Sequence, residues 1–326
     1  MFLVAIITSA CSSHLATVEP SPVLPDAGQQ SIVNGEGTWV QVASMPTARL
    51  YLAVGVINGI VYAVGGWNFR NVLATVEAYN PLTNVWTEET PMPTPRQWLC
   101  VRTVNGILYA IGGADAGGFA VDNVEAYNPA TNSWTEEAPL PEPRSSLACG
   151  VVNGKIYAVG GEGGRNGTQA NEMYDPITNT WTEKAAMPTG RAFLGVGVVR
   201  NILYAVGGSW QDQNTERVVE AYDPKTDSWA EKNPLHYSDW GMGTGVINDK
   251  MYLVGGFTGP IMPERIHAQN EIYNPATDAS GLKAPMPMSI AFLGAGVVNG
   301  VLYAVGGEDR ENQNYNNINR VYAYTP

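Results

Sequence analysis

Six times along this chain an apolar stretch ends in a Gly-Gly pair: Gly65-Gly66, Gly112-Gly113, Gly160-Gly161, Gly207-Gly208, Gly255-Gly256 and Gly306-Gly307. Successive pairs lie 47, 48, 47, 48 and 51 residues apart. Self-similarity at about fifty residues commits a chain to a stacked or radial array of one repeated unit. Each unit is too small to bury its apolar faces except against its neighbours.

The unit from Arg96 to Pro141 shows what is repeated. Gln97 to Val104 is an apolar strand, and Asn105-Gly106 is the dipeptide suited to the two positive φ angles of a type I′ hairpin turn. Ile107 to Ile111 returns as a second strand and stops at Gly112-Gly113. After a variable polar loop, Asn123 to Tyr127 is a third strand, and Asn128 to Asn132 a turn that proline pre-sets. Ser133 to Glu137 is a fourth strand, ended by Pro139 and Pro141. Four antiparallel strands in about 48 residues make one propeller blade.

The register carries through the copies. Tyr62, Tyr109, Tyr157, Tyr204, Tyr252 and Tyr303 share a place in the second strand. Tyr79, Tyr127, Tyr174, Tyr222, Tyr273 and Tyr322 are assigned one place in the third, and Trp86, Trp134, Trp181 and Trp229 one in the fourth. These aromatics read as core between stacked blades. The fifth copy has Asp278-Ala279-Ser280-Gly281-Leu282 where the tryptophan belongs, so a weaker outer strand is expected there. VYAVGG (61–66), AYNPLTNVW (78–86) and their copies over roughly 49–326 resemble the Kelch-repeat family.

The sixth unit ends after its third strand. The missing fourth is present at the other end, where Thr38 to Val42 precede Met45-Pro46. The expected fold is therefore all-β: a six-bladed propeller of four-stranded antiparallel blades, closed by an N-terminal strand that completes the last blade. The blades fall at about 49–93, 96–141, 144–188, 191–235, 239–287 and 290–326 plus 38–46.

Ahead of the ring, residues 1–11 resemble a bacterial lipoprotein signal. The apolar run MFLVAII is followed by small residues and Cys11, the expected lipid-carrying residue, although no basic residue precedes the run and Thr8 stands where leucine is usual. Residues 12–37 have the composition of a flexible linker. These features imply an exported protein of the cell envelope that meets the membrane only through a lipid anchor. Seven apolar residues are too few to span a bilayer.

Net charge is −12 with pI ≈ 4.7, a field that repels nucleic acid. Of the three cysteines, Cys100 and Cys149 fall one place apart in equivalent strands. Alternation then turns them to opposite faces, so two buried free thiols are expected.

Loops after each second strand (67–75, 114–122, 162–170, 209–217, 257–270 and 308–319) share one face with the entrances to the first strands. Binding residues concentrate on such loops. The entrance position reads Arg49, Arg96, Arg144, Arg191, Asp239 and Ile290 around the ring; two residues on stand Tyr51, Trp98, Ser146, Phe193, Gly241 and Phe292. Four arginines at a channel mouth would form a cationic patch suited to carboxylates. Resemblance to Kelch-like adaptors implies acidic peptides as their ligands, and the alternative is that each arginine belongs to the repeat and pairs locally. Arg102 stands apart, because its equivalents are Gly55, Gly150, Gly197, Gly245 and Gly296. It is expected to project into the channel, as a ligand contact or an ion-paired plug.

The candidate binding residues are thus Arg49, Arg96, Trp98, Arg102, Arg144, Arg191, Phe193 and Asp239, with Trp67 and Trp210 from the loops. No cofactor or metal is expected. His14, His236 and His267 are the only histidines and do not supply a copper radical site like that of galactose oxidase. The leading expectation is a non-catalytic module that recognises a protein segment or a glycan. The alternative is a metal-free sugar-acid epimerase or mutarotase, on resemblance to bacterial sialic-acid epimerases. Glu162, Glu308 or Asp309 would be its base, with Arg102 and Arg191 holding the acid group.

Overall fold

The computed structural model describes residues 37–164, 167–210, 214–215, 217–237, 239–258, 265–311 and 314–326. Among these, six four-stranded antiparallel sheets follow one another, each ordered from an inner first strand to an outer fourth. In blade one these are Ala53–Ile57, Ile60–Val64, Val76–Asn80 and Val85–Glu89. The inner strands of blades two to six are Cys100–Val104, Ala148–Val152, Gly195–Val199, Gly243–Ile247 and Gly294–Val298. Blade six takes its fourth strand from Thr38–Val42, which pairs antiparallel with Val321–Thr325 from Thr38↔Thr325 to Val42↔Val321. The ring is closed as the repeat arithmetic requires.

Local chemistry explains the units. The inner hairpins turn on residue pairs with two positive φ angles, as at Asn105 (51°) and Gly106 (78°). Each Gly-Gly pair marks the close approach of the next blade. A Cβ on Gly65 would lie 2.5 Å from Arg96 O, and the N–H of Gly66 donates to that same carbonyl at 2.9 Å. Equivalent bonds, from Gly113 to Arg144 O through Gly307 to Arg49 O, join every blade to the next at 2.8–3.0 Å.

Between blades, the second-strand tyrosine of one meets the third-strand tyrosine of its neighbour, from Tyr62–Tyr127 at 5.9 Å to Tyr79–Tyr303 at 5.8 Å. Such pairs add about 0.5–1.5 kcal/mol each beyond the area they bury. The fourth-strand tryptophan covers its own blade's tyrosine and donates Nε1 backwards, as Trp134 does to Thr90 O at 2.9 Å. Blade five keeps a short outer strand, Ala279–Leu282, although Ser280 opposes Tyr273 where the other blades have tryptophan.

Two expectations are corrected. In blade six the third-strand tyrosine is Tyr324, which faces Leu302 and packs 4.9 Å from Trp39. Tyr322 sits two places earlier, where blade one has Glu77. Cys100 and Cys149 form a disulfide across 6.1 Å of Cα separation rather than two free thiols. The alternation argument was sound, but blades pack face to face. Opposite faces of adjacent blades look at each other, so the one-place offset brings the sulfurs together.

Candidate binding face

The chain enters each inner strand through a residue with left-handed backbone: Tyr51, Trp98, Ser146, Phe193, Gly241 and Phe292, with φ between 53° and 66°. Each of these residues donates its N–H to the carbonyl of the equivalent residue in the preceding blade. The bonds run Trp98 to Tyr51 (3.0 Å), Ser146 to Trp98 (2.9 Å), Phe193 to Ser146 (2.9 Å), Gly241 to Phe193 (3.1 Å), Phe292 to Gly241 (2.8 Å) and Tyr51 to Phe292 (3.1 Å). The result is a closed ring of hydrogen bonds around the axis. Left-handed geometry costs a bulky residue about 1–3 kcal/mol, and strain of this kind concentrates at binding sites.

The side chains of this ring form an aromatic floor. Tyr51 packs on Phe292 (4.6 Å) and on Trp98 (4.8 Å); Phe193 packs on Phe292 (5.8 Å) and Trp98 (6.2 Å). A second tier widens it, with Trp67 parallel to Tyr51, Phe69 against Trp67, and Trp240 against both Phe193 and Phe292. Tyr51, Trp67, Trp98, Phe193, Trp240 and Phe292 are all half-buried, so each ring keeps an open part. The indole Nε1 of Trp98 is buried with no hydrogen-bond partner.

Blade three interrupts the rings with a polar notch. Ser146 Oγ donates to Glu162 at 3.2 Å, and burial raises the pKa of the Glu162 carboxyl. Glu308, the equivalent residue in blade six, is buried, and Asp309 accepts a bond from Asn316 at 3.1 Å.

The predicted cationic mouth is not there. Arg49, Arg96, Arg144 and Arg191 are at most 1% exposed. Each guanidinium lies inside its blade, paired with a third-strand glutamate: Arg49 with Glu77 (2.5 Å), Arg96 with Glu125 (2.7 Å), Arg144 with Glu172, and Arg191 with Glu220 (2.9 Å). Each also donates to a carbonyl at the end of the second strand, such as Arg96 Nη1 to Gly112 O at 2.8 Å. Desolvation lowers the pKa of Arg49, Arg96 and Arg144, and the glutamates oppose that shift. These arginines fasten loops to blades, so none of them is presented to a ligand, and a sugar-acid site would lack Arg191.

Asp239, in the arginine's place in blade five, is also buried. It meets His267 Nε2 at 2.9 Å, while Glu271 accepts the N–H groups of His236 (2.5 Å) and Tyr237 (3.2 Å). In blade six, Ile290 and Tyr322 share one apolar cluster. Arg102 differs from all of these and lines the central channel, half-buried.

Of the expected ligand contacts, the structure therefore brings together Trp67, Trp98 and Phe193, and buries the arginines and Asp239 away from them. The side chain of Trp210, like Cys11, lies outside the described residues. Trp240 was not singled out, although it falls in phase with the floor: it follows the entrance position and stacks on Phe257, the loop aromatic that follows Gly255-Gly256.

A six-bladed propeller with a loop-bearing aromatic mouth defines a class of binding scaffold. A family model described as "KLHDC2/KLHL20/DRC7 Kelch-repeats domain" matches residues 89–256, and a Kelch motif model matches 48–93 and 241–280. The chain belongs to the Kelch-repeat family. Kelch-like protein 31 of Homo sapiens is 45% identical over 42 residues, a stretch that is 13% of this chain and 7% of that protein. A solved structure titled "Structure of YjhT" superposes with a TM-score of 0.74 at 18% identity, covering 86% of this chain and 95% of that one. At that identity the likeness concerns the fold.

Proposed function

We propose that this chain is a non-catalytic binding module whose loop face recognises a protein segment or a glycan through its aromatic floor. The observation that carries the reading is the mouth itself. Four aromatic side chains on left-handed backbone are locked by a closed hydrogen-bond ring and kept half-open. Such a surface is organised before the ligand arrives, so little ordering entropy opposes binding. Aromatic faces suit sugar rings or apolar peptide side chains. With the four arginines already neutralised, recognition is expected to tolerate salt, unlike that of an acidic peptide on a cationic patch.

The proposal includes export to the cell envelope. The Cys100–Cys149 disulfide supports it, because such bonds persist in oxidising compartments.

The test is an array of neutral glycans and of neutral and acidic peptides, probed with the full chain at low and high salt. Salt-tolerant binding, weakened about thirtyfold by Trp98→Ala, is expected for an aromatic anchor worth about 2 kcal/mol. Binding that collapses in salt and ignores Trp98→Ala would overturn the reading.

A further inference from the structure

The central channel holds a second feature. On the hairpin-turn side of the aromatic floor, the middles of the six inner strands line an open stretch of channel of about 310 Å³. That volume holds about ten waters and reaches the lower end of small-ligand pockets. Gly55 and Gly150 are typical of its wall. A Cβ at either would come within 2.8 Å of an apolar side chain in the next blade, Val101 and Leu203 respectively. Blade two instead carries Arg102. The smaller Cys149 stands in the place that Val101 occupies opposite Gly55, and its disulfide ties the strands of blades two and three directly beside this arginine.

Among the described residues, no acidic residue lines the channel and Arg102 is in no ion pair. Its Nη1 donates to the adjacent Val101 O at 2.7 Å. Thr103, next along the strand and also in the wall, has a buried hydroxyl with no partner. Burial lowers the Arg102 pKa to about 10, which leaves the guanidinium charged at neutral pH. A guanidinium that faces a channel lined by no counter-charge presents its free donors to whatever enters, and an anion completes it better than water does.

We propose that this channel is a binding site for a small organic monocarboxylate, gripped by the Arg102 guanidinium. The planar fork matches a carboxylate in two parallel bonds. The charge count selects one negative charge, because a dianion such as phosphate would leave its second charge unbalanced in a protein of net charge −12. The site lies beyond the aromatic floor from the loop face and does not depend on the ligand proposed there.

The experiment titrates the full, disulfide-intact chain with acetate, lactate and gluconate, and with phosphate and sulfate, by isothermal calorimetry. At least one monocarboxylate should bind saturably at one site and more tightly than either inorganic anion. Arg102→Gly, which installs the residue of the other five blades, should weaken that binding tenfold or more, with circular dichroism reporting the fold. Arg102→Gln gives the same readout should the glycine variant not fold. The proposal is overturned by the absence of saturable carboxylate binding up to about 10 mM, by equal affinity in the Arg102 variants, or by phosphate or sulfate binding as tightly.

Discussion

Deleting residues 1–46 tests how the ring is held. That deletion removes the fourth strand of blade six and with it Trp39, which donates Nε1 to Ala284 O at 2.8 Å and packs 4.9 Å from Tyr324. Also lost is Met45, fully buried, whose N–H donates to Asn319 O at 2.8 Å. Ala43 O, the acceptor for Trp86 Nε1 at 2.9 Å, goes as well. Truncating a buried methionine costs about 2–5 kcal/mol and a tryptophan about 3–5; Trp39 is half-buried, which places it near the lower figure.

Together these losses reach about 5–8 kcal/mol before the five paired backbone positions are counted. A whole domain is stable by only about 5–15 kcal/mol. The truncated chain should therefore be unfolded or aggregated at ambient temperature, its exposed Val321–Thr325 edge open to pairing with other copies. Urea unfolding followed by circular dichroism, with sedimentation to detect aggregates, measures this. Trp39→Ala alone should cost about 3 kcal/mol, and a peptide of residues 36–47 added in trans should restore part of the loss. At about 1.5 °C per kcal/mol for a ring of this size, a truncated protein melting within about 2 °C of the intact one would refute the closure argument.

The Cys100–Cys149 bridge closes a loop of 49 residues between blades two and three, so loop-closure entropy gives it about 4 kcal/mol. The double variant Cys100→Ala/Cys149→Ala should lose that much in urea, reductant should reproduce the loss in the wild type only, and a non-reducing peptide map should show the bridged pair. Free thiols in the map would sink the pairing. In blade five, burial, reinforced by the Asp239 carboxylate, raises Glu271 to about 7, well above the ordinary glutamate value of about 4.3. The folded state then binds a proton that the unfolded chain has released. This contribution is fully present below about pH 4.3 and is lost as pH rises through about 7, a fall of about 4 kcal/mol. Glu271→Gln, with Asp239 and His267 unchanged, should flatten the stability slope between about pH 5 and 7.5; identical slopes in the two proteins would contradict it.

The fold was legible because its determinants are local and repeat in phase. Asn-Gly turns, Gly-Gly approaches and the tyrosine and tryptophan positions each act within a blade or on the next one. Trp39 gave away the seam because it stands outside the count of complete units. The arginine positions misled for a physical reason: an entrance residue can turn outward to solvent or inward to its own sheet, and arginine suits both. The deciding signal lay elsewhere in the chain. Glu77, Glu125, Glu172 and Glu220 accompany Arg49, Arg96, Arg144 and Arg191, whereas Tyr322 accompanies Ile290. Placing Tyr322 one alternation out hid that correspondence. The floor of the mouth was half visible, since Trp98 and Phe193 were named from their column. Trp240 reaches it only through the curvature of the ring, which one-dimensional spacing does not express.

The seam also fixes how the molecule answers to mechanical load. Thr38 and Thr325 are register partners, so the two ends of the propeller chain leave the ring side by side at one end of the same strand pair. A force drawing those ends apart acts across the ladder and opens its bonds in sequence, beginning at Thr38 and running to Val42. Shear, which would strain all of them at once, never arises. The ring therefore has a tear line with a defined starting point. The covalent link between blades two and three caps how far that tear extends the chain, because the 49-residue span it encloses cannot be drawn out while the sulfurs stay joined.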